Sequence, residues 1–270
     1  EVAHLLGGQP NTGVANTFGW GNMPEYGIPN CMTADGPAGL RIAPECGVTT
    51  TAWPCATLLA ATWNPNVVYQ VGAAGGKEVK ENNIAAWLTP ALNIHRSPLC
   101  GRNFEYYSED PLLAGVLAGA MVKGIQSQGV AATVKHFALN NKETDRKHSD
   151  SRVSERAARE IYLKAFEYVI KGAKPWAVMS SYNIINGCYA SENKELLEDI
   201  LRDEWGFDGM VTTDWWTLGE HYKEVKAGND MKMACGDPKR LKEAVDQGLL
   251  TRQDLEHCAE RVLNLILKLD

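Results

Sequence analysis

Five stretches of the chain set acids, cations and aromatic rings where an apolar run stops. "GMVTTDWW" (209–216) ends in Asp214 against Trp215 and Trp216, and "TADGPAGLR" (33–41) carries Asp35 at the end of its run. "VAATVKHFAL" (130–139) holds the adjacent pair Lys135 and His136, with Arg146 beyond it in "NNKETDR". "WAVMSSYN" (176–183) ends in Tyr182 and Asn183, and "NIHRSPLCGRNFEYYSEDP" (93–111) supplies Arg102, Glu105 and Asp110. A carboxylate beside a flat indole suits a sugar: the ring covers the apolar face of a pyranose while polar groups bond its hydroxyls. A carboxylate beneath the anomeric carbon can act as nucleophile in glycoside hydrolysis. Nearby cations are expected to favour the ionised form that a nucleophile requires.

Each residue also has an ordinary role to fill. Asp35 precedes Gly-Pro and can organise a turn; Asp110 can cap a helix at Pro111. Glu105 reads as a structural loop acid, His136 as a core histidine and Lys135 as a solvated amine. Arg102 and Arg146 can pair with neighbouring acids, and Tyr182 can be core with its hydroxyl on backbone. Asp214 can cap a helix in "TLGEHYKEV". By strand alternation Trp216 should point away from Trp215 and pack.

The elements that must position these residues alternate. Strands are expected at 30–36, 84–92, 130–139, 176–183, 209–215 and 229–234. Helices are expected at 65–82, 111–128, 153–172, 193–204, 217–227, 238–247 and 251–268. In "VSERAAREIYLKAFEYVIKG", Ser154 caps the start and Ala157, Ile161, Ala165 and Tyr168 continue an apolar stripe. Such alternation means right-handed βαβ units around a parallel sheet. At this length it favours an α/β fold of the TIM-like (β/α) barrel type, a single domain over 1–270, with the chemistry at the C-terminal strand ends. An open doubly wound sheet is the runner-up, but no GxGxxG or GxxxxGK[ST] supports its nucleotide-binding form.

The bulk properties narrow the partners. The 270 residues are 44% hydrophobic and 22% charged, with net charge −6. Interspersed charge of that sign argues against nucleic acid and anionic membrane as main partners. No apolar run approaches the roughly 18 residues of a membrane helix. "EVAHLLGGQP" has neither an initiator Met nor a signal-peptide layout, so a truncated or processed chain is expected. The seven cysteines (31, 46, 55, 100, 188, 235 and 258) lack CxxC spacing and read as free buried thiols of a reducing compartment, the cytoplasm. The six histidines are dispersed, without HExxH, and neither a metal nor a cofactor is expected.

Seven segments carry a resemblance. "TADGPAGLR", "PALNIHRSPLCGRNFEYYSEDP", "VKHFALNNKETDR", "VSERAAREIYL", "VMSSYNIINGCYASEN", "LLEDILRDEWGFDGMVTTDW" and "KAGNDM" run in order from about 30 to 230. Together they resemble the catalytic-barrel domain of glycoside hydrolase family 3, the β-glucosidase and β-xylosidase type. The resemblance implies that Asp214 is the nucleophile of a covalent glycosyl-enzyme. It implies that Asp35 holds sugar hydroxyls and that Arg102, Lys135, His136 and Arg146 surround the terminal sugar. Tyr182 would lie beside the nucleophile and Trp215 would wall the site.

A retaining glycosidase also needs an acid for the leaving oxygen. The resemblance implies that this acid comes from an α/β-sandwich domain, before or after the barrel, which this chain does not contain. Single-domain relatives use a His–Asp pair after the Lys-His strand. Here His148 and Asp150 occupy that loop without the accompanying "PGHG" and "DSH" pattern, so a solvated loop is expected. The resulting expectation is a retaining exo-β-glycosidase releasing terminal β-linked glucose from a small glucoside or oligosaccharide. Rival readings are β-xylosidase or β-N-acetylglucosaminidase specificity, a non-catalytic sugar-binding barrel, and a Schiff-base barrel using Lys135.

Overall fold

The computed structural model describes residues 1–11, 13, 15–234 and 236–269. Its strands are β1 (Gly19–Met23), β2 (Ile28–Ala34), β3 (Ala86–Trp87), β4 (Ala131–Phe137), β5 (Asp150–Ser151), β6 (Ala177–Ser180), β7 (Ile184–Ile185), β8 (Cys188–Tyr189) and β9 (Met210–Thr213). Among the described residues one sheet runs β1-β2-β3-β4-β6-β9, and a smaller one runs β5-β7-β8. In the larger sheet β1 is antiparallel to β2 and every other pairing is parallel. β4, β6 and β9 are buried at every residue, as parallel strands covered on both faces must be. That is why "AATVKHF" and "AVMS" read as runs rather than as alternation.

Isolated bridges continue the larger sheet beyond both edges. Thr212 of β9 bridges Met231, Lys232 bridges Gly7, and Gln9 bridges Gly19 of β1. The strand expected at 229–234 is therefore reduced to bridges at Met231 and Lys232. The run at 84–92 pairs as a ladder only at Ala86 and Trp87, with one later bridge from Ala91 to Lys135. Pro90, lacking an N–H, interrupts it. β1 and the small sheet were not foreseen, because "GWGNM" and the two-residue strands carry no alternating pattern.

The α-helices are α1 (Val2–Leu5), α2 (Ala56–Ala61), α3 (Pro65–Glu81), α4 (Pro111–Gln126), α5 (Glu155–Ala157), α6 (Lys164–Ala173), α7 (His221–Lys226), α8 (Pro238–Asp246) and α9 (Arg252–Leu269). Asp110 caps α4, accepting from the amides of Leu112 and Leu113 at 2.7 and 3.0 Å, with Pro111 at the first helical position. α3 and α4 approach closely at Gly72, where a Cβ would stand 2.6 Å from the Met121 carbonyl oxygen. Ser154 caps α5 as expected. The stripe that should follow does not hold, however. Ala165 is buried, but Ile161 and Tyr168 are 42% and 41% exposed, and Leu163, Phe166, Val169 and Ile170 are buried instead. A π-helical turn at Ala158–Tyr162 separates α5 from α6, and its extra residue shifts the buried face. The segment expected at 193–204 is π-helical over Glu195–Glu204, and that expected at 217–227 forms α7 alone.

Two hydrophobic clusters flank the larger sheet. One packs Val134, Phe137, Val178 and Val211 against Leu117, Phe166 and Leu197. The other packs Trp20, Ala131, Ala177, Met210 and Met231 against Leu241, Val262 and Leu265 of α8 and α9. Asp230 ties these layers together, accepting from Arg202 Nη2 and the Val211 amide, both at 2.7 Å, and from Arg261 Nη1 at 3.2 Å. Cys100 and Cys258 are buried free thiols, and Cys31 is buried too. Cys46 departs from that expectation and is exposed, because it ends a short 3-10 turn, Pro44–Cys46, on a surface loop. Cys55 and Cys188 are half-buried free thiols, and Cys235 lies outside the described residues. Among the described residues no helix is long and apolar enough to cross a membrane.

Candidate active site

Parallel strands bring their C-terminal ends to one side of a sheet, so the residues that follow them must meet there. They meet around a cavity of about 430 Å³. Asp35, Arg102, Lys135, His136, Arg146, Tyr182, Asp214 and Trp215 all line it. β2 delivers Asp35, β9 delivers Asp214, and Tyr182 follows β6 by two residues. Lys135 and His136, adjacent on β4, both reach the cavity. The β4–β6 register shifts between Val134 and Phe137, and such an irregularity re-aims side chains that strict alternation would separate.

Asp214 is 8% exposed. Its Oδ1 accepts from the Trp215 amide at 2.7 Å. Its Oδ2 is buried without a hydrogen-bond partner among the described residues, 3.9 Å from His136 Nε2. The cap reading fails, since α7 does not begin until His221. Burial pushes the Asp214 carboxyl above its ordinary range, opposed by the Trp215 N–H, Lys135, Arg102 and Tyr182. This corrects the expectation that cations would favour the ionised form outright: they pull in that direction, but desolvation is larger.

Lys135 is not a solvated amine. Its side chain is 3% exposed and Nζ donates to Asp35 Oδ1 at 2.7 Å, while Arg41 lies 3.2 Å from Asp35 Oδ2. Burial works to raise the Asp35 carboxyl, yet Lys135 and then Arg41 outweigh it and hold the group well below the carboxylate range. His136 is pushed well below its ordinary value by burial and then by Arg102, Lys135 and Arg146, so it is neutral at pH 7. Its contact with Asp214 is therefore not an ion pair. Asn93 clasps the His136 backbone, accepting from its N–H and donating to its carbonyl, each at 2.9 Å.

The two arginines are braced by acids. Arg102 Nε bonds Glu105, which is 4% exposed, and Arg102 Nη1 lies 3.9 Å from Glu143. Arg146 Nη1 donates to Glu143 Oε2 at 2.9 Å and stacks over the Tyr182 ring at 4.6 Å. Tyr182 donates to the Trp215 carbonyl at 2.6 Å. Glu105, read from sequence as a plain loop acid, thus lines the cavity, and Glu143 was missed. The signal was available: each acid stands three residues from its arginine. Phe18 and Phe104, also on the wall, gave no such signal.

The tryptophans differ from expectation. Trp215 is half-buried against the second cluster, with Nε1 buried and unbonded among the described residues. Trp216 does not pack away: it is 58% exposed, lines the cavity and meets Phe18 edge-on at 6.0 Å. β9 ends at Thr213 and Trp216 adopts φ +53, so alternation no longer governs its direction. His148 is exposed and bonds Asp145 Oδ1 at 2.8 Å, whereas Asp150 pairs with Arg152 at 2.7 Å. No His148–Asp150 pair forms.

Residues 22–265 match the model of the glycosyl hydrolase family 3 N-terminal domain. The chain is 67% identical over 256 residues to β-glucosidase A of Butyrivibrio fibrisolvens, covering 95% of this chain and 31% of the relative. It is 44% identical to an exo-α-(1→6)-L-arabinopyranosidase of Bifidobacterium longum, covering 90% of this chain and 33% of that protein. Among solved structures, β-glucosidase 3B of Thermotoga neapolitana in complex with α-D-glucose superposes with a TM-score of 0.95 at 42% identity, over 99% of this chain and 41% of that one. The chain spans about a third of the length of the curated relatives it matches. With nearly its whole length matched, from β1 to α9, the chain belongs to glycosyl hydrolase family 3, as an N-terminal domain of that family.

Proposed function

We propose that the intact protein is an exo-acting β-glucosidase that works by the retaining, two-carboxylate route, with Asp214 as its nucleophile. One observation carries the reading: Asp214 Oδ2 is a buried carboxylate oxygen at the end of β9, facing the cavity with no partner among the described residues. A carboxylate oxygen buried without a bond costs stability, and such a cost is tolerated where it serves chemistry. Asp214 Oδ2 attacks the anomeric carbon, the bond to the leaving oxygen breaks, and that oxygen takes a proton from a second carboxyl group. Water then hydrolyses the glycosyl-Asp ester and the protein returns to its starting state.

Asp35 and Lys135 hold hydroxyls on the far side of the sugar, Arg102, His136 and Arg146 surround it with donors, and Trp215 walls it. The acid belongs to an α/β-sandwich domain outside this chain. The frame is a closed TIM-like (β/α) barrel forming one domain over 1–270, a reading supported by the bridges from Thr212 through Met231, Lys232, Gly7 and Gln9 to Gly19. The free thiols fit a reducing compartment, the cytoplasm. Glucose is favoured by the relative and the solved structure that carry its name. The arabinopyranosidase marks another pyranose as the alternative.

Incubating the full-length protein with an activated 2-deoxy-2-fluoro-β-glucoside tests this directly. Peptide mass mapping should find the sugar on Asp214. A label on another carboxylate, or glucose binding with no covalent adduct, would overturn the assignment in favour of a different nucleophile or a sugar-binding module.

A further inference from the structure

Behind the cavity wall a polar chain runs from His136 through Tyr106 and Asn140 to Glu143, and only His136 of the four lines the cavity. His136 Nδ1 stands 3.3 Å from the Tyr106 hydroxyl, with the two rings at 77° and their centroids 6.2 Å apart. Asn140 Nδ2 donates to that hydroxyl at 3.3 Å and to Glu143 Oε1 at 3.2 Å. The Tyr106 hydroxyl also lies 3.4 Å from the Asn140 carbonyl oxygen. Tyr106 is fully buried, and burial raises its phenol well above the ordinary range, so it keeps its proton.

That single proton has two destinations. If it goes to the Asn140 carbonyl, His136 must carry its own proton on Nδ1 and present a lone pair at Nε2. If it goes to Nδ1, His136 carries its proton on Nε2 and presents a donor. The distances, 3.3 and 3.4 Å, do not separate these arrangements. Asp214 does. Its open Oδ2 lies 3.9 Å from Nε2 in a buried site, where a lone pair facing carboxylate oxygen is repelled and an N–H is attracted.

We infer that Asp214 Oδ2 selects the Nε2–H tautomer of His136 and that Tyr106 is the positioning residue that completes it by donating to Nδ1, making the cavity-facing nitrogen a hydrogen-bond donor. The assignment rests on the sugar-cleaving reading of the cavity, and it determines which way hydroxyl protons must point. A substrate hydroxyl at His136 accepts from Nε2 and keeps its own proton free to donate to Asp214 Oδ2. The opposite tautomer would consume that proton. Asn93 fixes the backbone of the same residue, so the ring has a defined position as well as a defined proton.

Neutron diffraction from deuterium-exchanged crystals of the full-length protein reads the proton directly and does not depend on turnover. A deuteron on Nε2 of His136, with the Tyr106 deuteron aimed at Nδ1, is the expected result; a deuteron on Nδ1 overturns the proposal. In Tyr106→Phe the Nδ1 lone pair loses its donor, so the His136 ring should be less ordered in the map, and kcat/KM should fall about tenfold, chiefly through KM. If the variant keeps an equally ordered His136 ring and the wild-type KM, Tyr106 is not the positioning group. Should the variant fail to fold, the wild-type neutron map still decides. Loss of the fluorosugar label with the expected deuteron pattern intact would instead count against the β-glucosidase reading.

Discussion

Lys135 Nζ sits 2.7 Å from Asp35 Oδ1 although β3 separates the strands that carry them. The pair thus spans the strand ends and fixes one wall of the cavity. Asp35→Asn leaves the Lys135 side chain, 3% exposed, without its charged partner and should cost about 3 kcal/mol at pH 7. Because the native Asp35 carboxyl is depressed, the unfolded chain binds a proton in acid that the native chain does not. The contribution is complete above about pH 4 and is lost as pH falls through the native value. The gap between urea titrations of wild type and variant should therefore begin to narrow below about pH 4 and be smaller at pH 3 than at pH 7. A gap that stays constant from pH 7 to pH 3 would contradict this account.

Asp214 runs the other way. Its carboxyl is raised in the native state, so native protein holds a proton that the unfolded chain has released, and stability falls as pH rises through about 4. The deficit persists at pH 7. Asp214→Asn should raise the thermal midpoint by about 2–4 °C at pH 7, with the gain vanishing in acid below about pH 4. Turnover by the full-length variant should fall at least about a thousandfold. A variant both inactive and less stable at pH 7 would mean that the carboxylate is held by more than the desolvated pocket provides.

Glu143 is the acid that Arg102 and Arg146 share, at 3.9 and 2.9 Å. Glu143→Gln keeps the shape and removes the charge, so both guanidinium groups lose orientation. Steady-state kinetics of the full-length protein should show KM raised about tenfold, with the smaller change in kcat. An effect confined to kcat would place the arginines at the leaving group rather than around the bound sugar.

Asp110 provides a control away from the chemistry. Asp110→Ala removes the acceptor of the Leu112 and Leu113 amides and should cost about 1 kcal/mol of stability. Its kcat/KM should match wild type. A large kinetic defect would show that α4 transmits strain to the loop carrying Arg102 and Glu105.

The parts readable in the sequence are those written in local patterns. Asp110 before Pro111 and Ser154 before "ERAA" announce caps, because a helix leaves its first amides unbonded and a short polar side chain satisfies them. The buried runs of β4, β6 and β9 announce covered parallel strands. What lay beyond reach had no local pattern: β1 with its two glycines, and the two-residue strands of the small sheet. The bridges at Met231 and Lys232 take their meaning from Thr212 and Gly7, which are remote in sequence. The π-turn at Ala158–Tyr162 changed which residues of a correctly expected helix were buried, since one extra residue rotates everything after it.

For the site, the sequence determined part of the membership. Polar residues set at the ends of apolar runs had to gather at one side of a parallel sheet, and most of them line one cavity, although Asp110 and Asn183 do not. Tertiary structure decided their condition. Whether Asp214 is ionised depends on how completely the fold strips water from it against a few nearby dipoles and charges, a balance no residue type encodes. Whether His136 donates or accepts depends on Asp214 and on a tyrosine thirty residues away in the chain. Residue identity supplies the chemical groups; burial and long-range partners set their protonation, because solvation energies depend on position in the fold.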